Sequence, residues 1–279
     1  MKITFDDIRK RKSVRTYEDR LIEPAVKDEF MTFVRANNRG TLATGIDFDI
    51  VDLSGAGQDE LKNLASYGNI KGPKYFIAGL VKSEPAQILD YCYLMEKNIL
   101  GAQALGLGTC WIGGNFSRAG FLDKISAKPG QVVPAIVSLG YEAKHKDAAD
   151  TATRVFVSAD TRKPWKDMFF DGNPETPLTE NAVGDLKIQL EALRLAPSAS
   201  NKQPWRIIKD GDALHVFLER TAGYWKAPRE DIQLMDIGIG MCNFDIAAAE
   251  AGIKGGWKFD NAQKGKEGWE SVVFWLKHN

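Results

Sequence analysis

The stretch RLAPSASNKQPWRI, at residues 194–207, concentrates polar side chains between two apolar segments. A connection from a helix to a strand needs little more than a Pro or a Gly to change direction. Ser198, Ser200, Asn201 and Gln203 can bond either to the loop's own backbone or to a polar ligand. A turn whose side chains bond to its own backbone accounts for only one or two of these four residues. The set therefore indicates a surface that binds the edge of a heteroaromatic ring or a sugar-like chain.

Two basic segments could bind an anion between them. Arg11, Ser13 and Arg15 alternate in RKSVR, and Arg162 and Lys163 stand together in TRKPW. A guanidinium fork suits phosphate, and a Ser hydroxyl can add a further hydrogen bond. Each segment taken alone is also typical of a solvated surface, so we expect both arginines of RKSVR to be exposed without a ligand. A P-loop and a G-x-G-x-x-G motif are both missing, which argues against a Rossmann nucleotide site.

The glycine-dense stretch GTCWIGGN, at residues 108–115, follows a long apolar helix. We predict a turn here, in which glycines let backbone N–H groups approach a flat ligand closely. An ordinary helix end is the alternative. Cys110 is interpreted as a packing residue, because no His lies near it in the sequence and small buried cysteines are common.

The composition narrows the class of protein. The chain has 279 residues, is 44% hydrophobic, and carries 37 basic and 37 acidic side chains, so a dedicated nucleic-acid or anionic-membrane surface is not expected. Its three cysteines and three histidines are scattered, which predicts neither a disulfide framework nor a metal site. The sequence contains neither a signal-like apolar core nor an apolar run long enough to span a membrane. A cytoplasmic protein is the expectation.

The order of helices and strands repeats weakly along the chain. AQALGLGTCW aligns without gaps to AAEAGIKGGW, each residue lying 146 positions before its counterpart, as Trp111 lies before Trp257. Each copy ends a long predicted helix and precedes a strand. We therefore predict an α+β fold of two related halves, residues 1–171 and 172–279, joined by the linker-like GNPETPLTEN. Chance alignment of Ala/Gly-rich helix ends is the alternative.

Four segments together resemble the nitroreductase family of flavin enzymes. RKSVRTY is similar to that family's R-x-S-x-R-x-[YF] segment, APSASNKQPW to A-P-S-x-x-N-x-Q-P-W, GLGTCWIGG to G-L-G-T-x-W-I-G, and RKP to a segment near the end of the subunit. The similarity spans most of the chain and is closest to family members in which two halves are fused. In ordinary members each subunit has both the arginine segment and the A-P-S segment. Here the first half keeps one and the second half the other.

The resemblance implies a nitroreductase-like fold in which the two halves form an intramolecular pseudo-dimer, with FMN bound between them. The basic segments would bind the FMN phosphate, the A-P-S segment would line the ribityl chain and the ring, and the glycine-dense stretch would lie by the reactive ring edge. The implied cofactor-binding residues are Arg11, Lys12, Ser13, Arg15, Gly68, Asn69, Ile112, Gly113, Gly114, Arg162, Lys163, Pro197, Ser198, Ala199, Asn201 and Gln203.

The implied activity is transfer of electrons from NADH or NADPH to a small-molecule acceptor such as a nitroaromatic or a quinone, with the chemistry carried by the flavin and not by a catalytic side chain. A flavin-binding sensor or carrier without turnover is the alternative. Because the interface between halves is internal, one FMN per chain is expected, and a monomer is sufficient.

Overall fold

The computed structural model describes residues 1–65, 70–114, 116–145, 148–223, 230–259 and 265–278, which form a mixed α+β fold. The helices are α1 (Phe5–Lys10), α2 (Pro24–Ala36), α3 (Gln58–Ala65), α4 (Pro85–Ala104), α5 (Arg118–Lys124), α6 (Ala148–Phe156), α7 (Lys187–Arg194) and α8 (Ile232–Glu250). The strands are β1 (Phe48–Asp52), β2 (Tyr75–Gly79), β3 (Val81–Lys82), β4 (Gly108–Ile112), β5 (Gln131–Val132), β6 (Ile136–Gly140), β7 (Phe169–Asp171), β8 (Trp205–Asp210), β9 (Ala213–Glu219), β10 (Gly255–Phe259) and β11 (Trp269–Lys277).

The two main sheets have the same strand order. The first runs β1-β2-β6-β4, and the second runs β8-β9-β11-β10 with β7 added beside β8. Every pairing within these two sheets is antiparallel except that of β7 with β8, which is parallel. In each half an antiparallel pair of strands precedes a long helix, which leads into the strand at the sheet edge. The predicted pair of related halves is therefore visible in the topology, although β7, which precedes residue 172, joins the second sheet.

The long helices α4 and α8 are buried along most of their length and pack against each other. Pro85 starts α4, where a missing N–H costs nothing. Asp231 caps α8 by accepting hydrogen bonds from the N–H groups of Gln233 and Leu234, both at 3.1 Å. Both helices are buried on most sides, as expected of helices that lie inside a core.

The internal repeat extends beyond the two tryptophans. Asp90 in α4 and Asp236 in α8 are also 146 positions apart, and both are buried. The Asp90 carboxylate accepts hydrogen bonds from the N–H groups of Leu42 (2.9 Å) and Thr44 (2.8 Å), and that of Asp236 accepts one from Ala199 (2.9 Å). Each aspartate thus fixes the loop that precedes the first strand of its own half.

The prediction of a turn at residues 108–115 is wrong for most of that stretch. Gly108–Ile112 form β4, paired along its whole length with β6, and the bend is confined to the glycines that follow. Thr109, Cys110 and Ile112 are buried. Thr109 and Ile112 are β-branched, and the pairing with β6 stabilises the strand although the glycines of this stretch favour a turn.

The crossing of α4 and α8 generates a stability prediction. A methyl group on Gly238 would overlap the carbonyl oxygen of Leu89, which belongs to the backbone of α4 and cannot move alone. Gly238→Ala should therefore lower the free energy of unfolding by about 1–3 kcal/mol, as overpacking does. Gly240→Ala is the matched control in the same helix, since its methyl group would lie 3.2 Å from the Leu193 side chain, which can adjust. Chemical denaturation of both variants measures the difference, and equal stabilities would contradict this view of the crossing.

Candidate functional site

The RKSVR segment lies along the open edge of β4. The N–H of Val14 donates to the carbonyl of Thr109 at 2.8 Å, and Ser13 forms a parallel bridge with the same residue. Val14 is buried against Gly108, where an added Cβ would come within 2.8 Å of the valine side chain. The glycine therefore permits the close approach of the two segments, and the first basic segment and the glycine-dense stretch meet as one surface.

Arg11 and Arg15 are not the exposed groups that their spacing predicts. The Arg11 side chain is 8% exposed, and its Nε lies 3.7 Å from Oε1 of the fully buried Glu96. Arg15 is 14% exposed and its Nη1 lies 3.3 Å from Oδ1 of Asp150 in α6. Both arginines are enclosed because the segment packs against β4 rather than extending into solvent. Lys12, between them, is exposed and pairs with Glu142 at 2.8 Å.

Glu96 is an acid that the sequence did not single out. Its Oε2 accepts a hydrogen bond from Trp111 Nε1 at 2.8 Å, and its Oε1 has no hydrogen-bond partner in the described part of the chain. Burial raises the pKa of the Glu96 carboxyl, while Arg11 and the Trp111 hydrogen bond oppose that rise. Glu96 thus holds Arg11 by charge at a distance too long for a hydrogen bond, which leaves the guanidinium donors of Arg11 available.

The RKP segment joins the A-P-S loop. Arg162 donates from Nη2 to the carbonyl of Leu195 at 2.9 Å, and its Nη1 lies 3.5 Å from Asn201 Oδ1. The N–H of Lys163 donates to Gln203 Oε1 at 2.8 Å. The second basic segment and the polar loop, which belong to different predicted halves, are therefore in direct contact.

The polar side chains of the A-P-S loop bond mainly to the protein itself. Asn201 Nδ2 donates to the carbonyls of Ser158 (2.7 Å) and Thr161 (3.1 Å), and the Ser198 hydroxyl accepts from the Gln203 N–H at 2.8 Å. These bonds support a backbone with positive φ at three non-glycine residues, Ser200, Asn201 and Gln203. Such conformations are costly and persist only where the surroundings enforce them, often beside ligands. The turn interpretation thus explains more of this loop than we expected.

The charges of three arginines interact across these segments. The charges of Arg11 and Arg194 both act on Arg162, and together with burial, which is the larger cause, they lower its pKa to about 10. Arg162 Nε has no hydrogen-bond partner among the described residues. Arg194 forms two hydrogen bonds to Glu191, at 2.6 and 2.8 Å. A cluster with this excess of buried positive charge fits an anion such as phosphate, which would offset the repulsion.

Arg194 is not among the site residues predicted from the sequence, although it is the first residue of the stretch at 194–207 that indicated a ligand surface. It donates from Nη1 to the carbonyl of Lys163 at 3.2 Å, which ties α7 to the RKP segment. Sequence spacing could not reveal this, because Arg194 and Lys163 are brought together only by the fold.

The start of α8 connects the glycine bend with the A-P-S loop. A Cβ on Gly113 would lie 2.9 Å from the Ile232 side chain, and Asp236, one helical turn later, holds the N–H of Ala199. Ile112 packs in a cluster with Phe116 and Phe121, so its backbone alone is available at the bend. Pro197, Ser198 and Ala199 are half-buried, as is Gly114. Gly68 and Asn69 lie outside the described residues.

Cys110 packs in the interior, in agreement with the interpretation of its sequence context. Burial raises the pKa of its thiol, against the opposing charges of Arg15 and Arg11. Within the described ranges, His, Cys, Asp and Glu form no group of three or more that could hold a metal ion. Among the helices of those ranges, none is both long and apolar enough to cross a membrane.

Comparisons with known proteins identify the family and support the fold. The sequence model of a family described as "Putative TM nitroreductase" matches residues 4–248. A crystal structure of a "putative nitroreductase" from Thermotoga maritima is 21% identical, covers 99% of this chain and 94% of its own, and superposes with a TM-score of 0.60. That similarity supports the fold. No curated protein matches the sequence.

Shorter structures match part of the chain. An FMN-dependent nitroreductase from Clostridium difficile is 21% identical, with a TM-score of 0.40, over 51% of this chain and 89% of its own. A nitroreductase family protein from Clostridium novyi is 23% identical, with a TM-score of 0.41, over 53% of this chain and 90% of its own. Since the family model spans most of the sequence, the chain belongs to the nitroreductase family described as "Putative TM nitroreductase".

Proposed function

We propose that this protein is an FMN-dependent NAD(P)H oxidoreductase that reduces small flat acceptors such as nitroaromatics or quinones. The single observation that carries the proposal is the guanidinium cluster, in which Arg11 and Arg162 have donors available and no carboxylate fully compensates them. Membership of the nitroreductase family supports the choice of a flavin over other phosphate-bearing cofactors.

The phosphate end of the proposed site is argued from charge. Arg11 and Arg162 belong to the two basic segments and their charges interact, and Ser13, two residues from Arg11, lies on the edge of β4. Buried guanidinium groups repel one another, so a bound phosphate would gain charge-assisted hydrogen bonds and remove that repulsion. Arg15 is held by Asp150, and its proposed role is mainly to support the segment.

The ring end is argued from the backbone. Gly113 and Gly114 have no side chains to block a flat ring, and Gly113 faces the first residue of α8. The A-P-S loop, anchored by Asp236 in the same helix, would form the opposite wall. The left-handed residues of that loop hold its backbone groups in one arrangement, which lowers the entropy lost when a ligand binds.

When bound, FMN would supply the redox chemistry by accepting a hydride from NADH or NADPH and passing electrons to the acceptor. The protein would bind and orient the cofactor, with cationic side chains at its phosphate and backbone groups along its ring. No side-chain acid or base is assigned a catalytic role. The thiol of Cys110 is buried and its pKa is raised, so it is not assigned one either.

The proposal includes one site per chain, built between the two halves. Arg11, Ser13 and Arg162 come from the first half, and Ser198 and Asn201 from the second. The segment before α7, GNPETPLTENAVGDL, contains no arginine, so a symmetric second phosphate site is not proposed. No second copy of the chain is needed. All three cysteines are unpaired and buried, which agrees with the cytoplasmic location that we propose.

The test of the proposed function is the visible spectrum of the purified protein. We expect a flavin spectrum that NADH or NADPH bleaches under anaerobic conditions and that a quinone or nitroaromatic restores. A protein that stays yellow with both nucleotides would favour a flavin sensor or carrier. A protein that neither contains nor takes up FMN would contradict the proposal.

Arg11→Ala should weaken FMN binding by roughly ten- to a hundredfold, because one charge-assisted interaction contributes about 1.5–3 kcal/mol. Isothermal titration calorimetry measures the affinity and should give one FMN per chain. Arg9→Ala is the matched control. Arg9 is exposed, and its substitution removes the same charge two residues before Arg11. Removal of an exposed arginine would leave the free energy of unfolding unchanged. Removal of Arg11 should lower it, because the buried Glu96 loses its counter-charge. Unchanged FMN affinity in Arg11→Ala would refute the phosphate assignment.

The two buried aspartates offer a paired test of the A-P-S wall. Asp236→Ala and Asp90→Ala should each cost about 1–3 kcal/mol of stability, because Asp236→Ala removes the acceptor of one part-buried N–H and Asp90→Ala that of two. Only Asp236→Ala should weaken FMN binding, since Asp90 holds the loop of the other half. Asp236→Asn keeps an acceptor oxygen and should retain FMN affinity. Equal effects of the two alanine variants on FMN affinity would remove the A-P-S loop from the proposed site.

A further inference from the structure

A second cavity lies away from the guanidinium cluster, between the carboxyl end of α8, the start of β10 and the middle of α4. Its volume is about 610 Å³, within the range of cavities that bind small molecules. Aromatic and charged side chains line it together, among them Phe33, Tyr93, Lys97, Asp245, Lys254 and Trp275. Both halves contribute to its lining, and it takes no part in the proposed flavin site.

The repeat explains why this cavity exists. In the first half, Leu100 packs with Ile8, Gln103 Nε2 donates to the carbonyl of Asp7 at 2.9 Å, and Gly108 is covered by Val14. The counterparts of these three covered residues, 146 positions later, line the cavity: they are Ile246, Ala249 and Lys254. Ile246 still packs with Ile8 of α1, whereas Ala249 and Lys254 are exposed, so the counterpart of the surface that Val14 covers at Gly108 is open.

Among the charged side chains of the cavity, two lysines have no carboxylate partner, whereas Asp245 has both of its oxygens bonded. Asp245 accepts hydrogen bonds from Tyr93 Oη (2.9 Å) and Trp257 Nε1 (2.8 Å), and Glu250 accepts one from the N–H of Phe5 (2.7 Å). Lys97 and Lys254 have no carboxylate within 4.0 Å in the described ranges. The carboxylates therefore already have protein partners, whereas these two ammonium groups do not.

We propose that this cavity is a second ligand site, which binds a small amphipathic anion with a flat apolar body and one carboxylate or sulfonate group. The apolar body would lie against Tyr93, Phe33 and the edge of Trp275, and the acidic group would pair with Lys97 and Lys254. A cation is not expected, because both oxygens of Asp245 are occupied. The inference stands independently of the proposed flavin site, since no residue of the guanidinium cluster lines the cavity.

The test is calorimetric titration of the full chain, saturated with FMN, with naphthalene sulfonate and with the uncharged naphthalene methanol. We expect one sulfonate per chain and at least about tenfold weaker binding of the neutral compound, as the loss of an ion-paired hydrogen bond predicts. Lys97→Gln and Lys254→Gln should each weaken the sulfonate by about tenfold on the same grounds. Lys258→Gln is the matched control, because Lys258 is exposed on β10 and lies outside the cavity.

Several results would overturn the inference. One is no sulfonate binding at millimolar concentration, and another is equal affinity for the charged and neutral compounds. A third is the same loss in Lys258→Gln as in the two cavity variants, which would indicate a general charge effect. Titration repeated without FMN separates the two sites: a sulfonate that binds only in the absence of FMN occupies the flavin site and not this cavity. Thermal denaturation checks that each variant is folded.

Discussion

The close packing of α4 against α8 is the contact on which the rest of the structure depends. Gly238 allows the two backbones to approach until little room is left for a methyl group beside Leu89. Since both helices are buried on nearly all sides, each half completes its core only by covering the other's long helix. The two halves are therefore one folding unit in physical terms, and a site that draws residues from both can have a fixed geometry.

The two halves have the same strand order, and the segments added to it differ. Both halves have a sheet of the same strand order, a buried aspartate at the same helix position and a tryptophan within the edge strand. The chain adds the RKSVR segment beside β4 in the first half and the β7 strand beside β8 in the second. These additions make the molecule asymmetric: basic groups gather on one side, and a cavity stays open at the equivalent place on the other.

The arginine cluster is costly for the protein alone. Burial of guanidinium groups is unfavourable unless each finds a partner, and the acids nearby compensate them only in part. Glu96 is itself buried, and the pKa of its carboxyl is raised. Glu191 is already hydrogen-bonded to Arg194. The left-handed residues of the A-P-S loop add backbone strain at the same place. Strain and uncompensated charge at one point of an otherwise well-packed core are typical of a site selected for binding and not for stability.

The sequence by itself determined the mixed α+β class, the repeat across the two long helices and the family. Apolar periodicity, Pro85 at a helix start and a gapless 146-residue offset are local or pairwise signals that need no coordinates. The same offset would have revealed Asp90 and Asp236 had it been extended towards the N-terminus.

What the tertiary structure decided is how polar groups are distributed. Exposed and buried arginines have the same local sequence pattern, and only packing against β4 encloses Arg11 and aligns it with Glu96. Arg194 joins Arg162, and GTCWI becomes an edge strand, because burial and sheet pairing depend on neighbours distant in the chain, which local propensity does not contain.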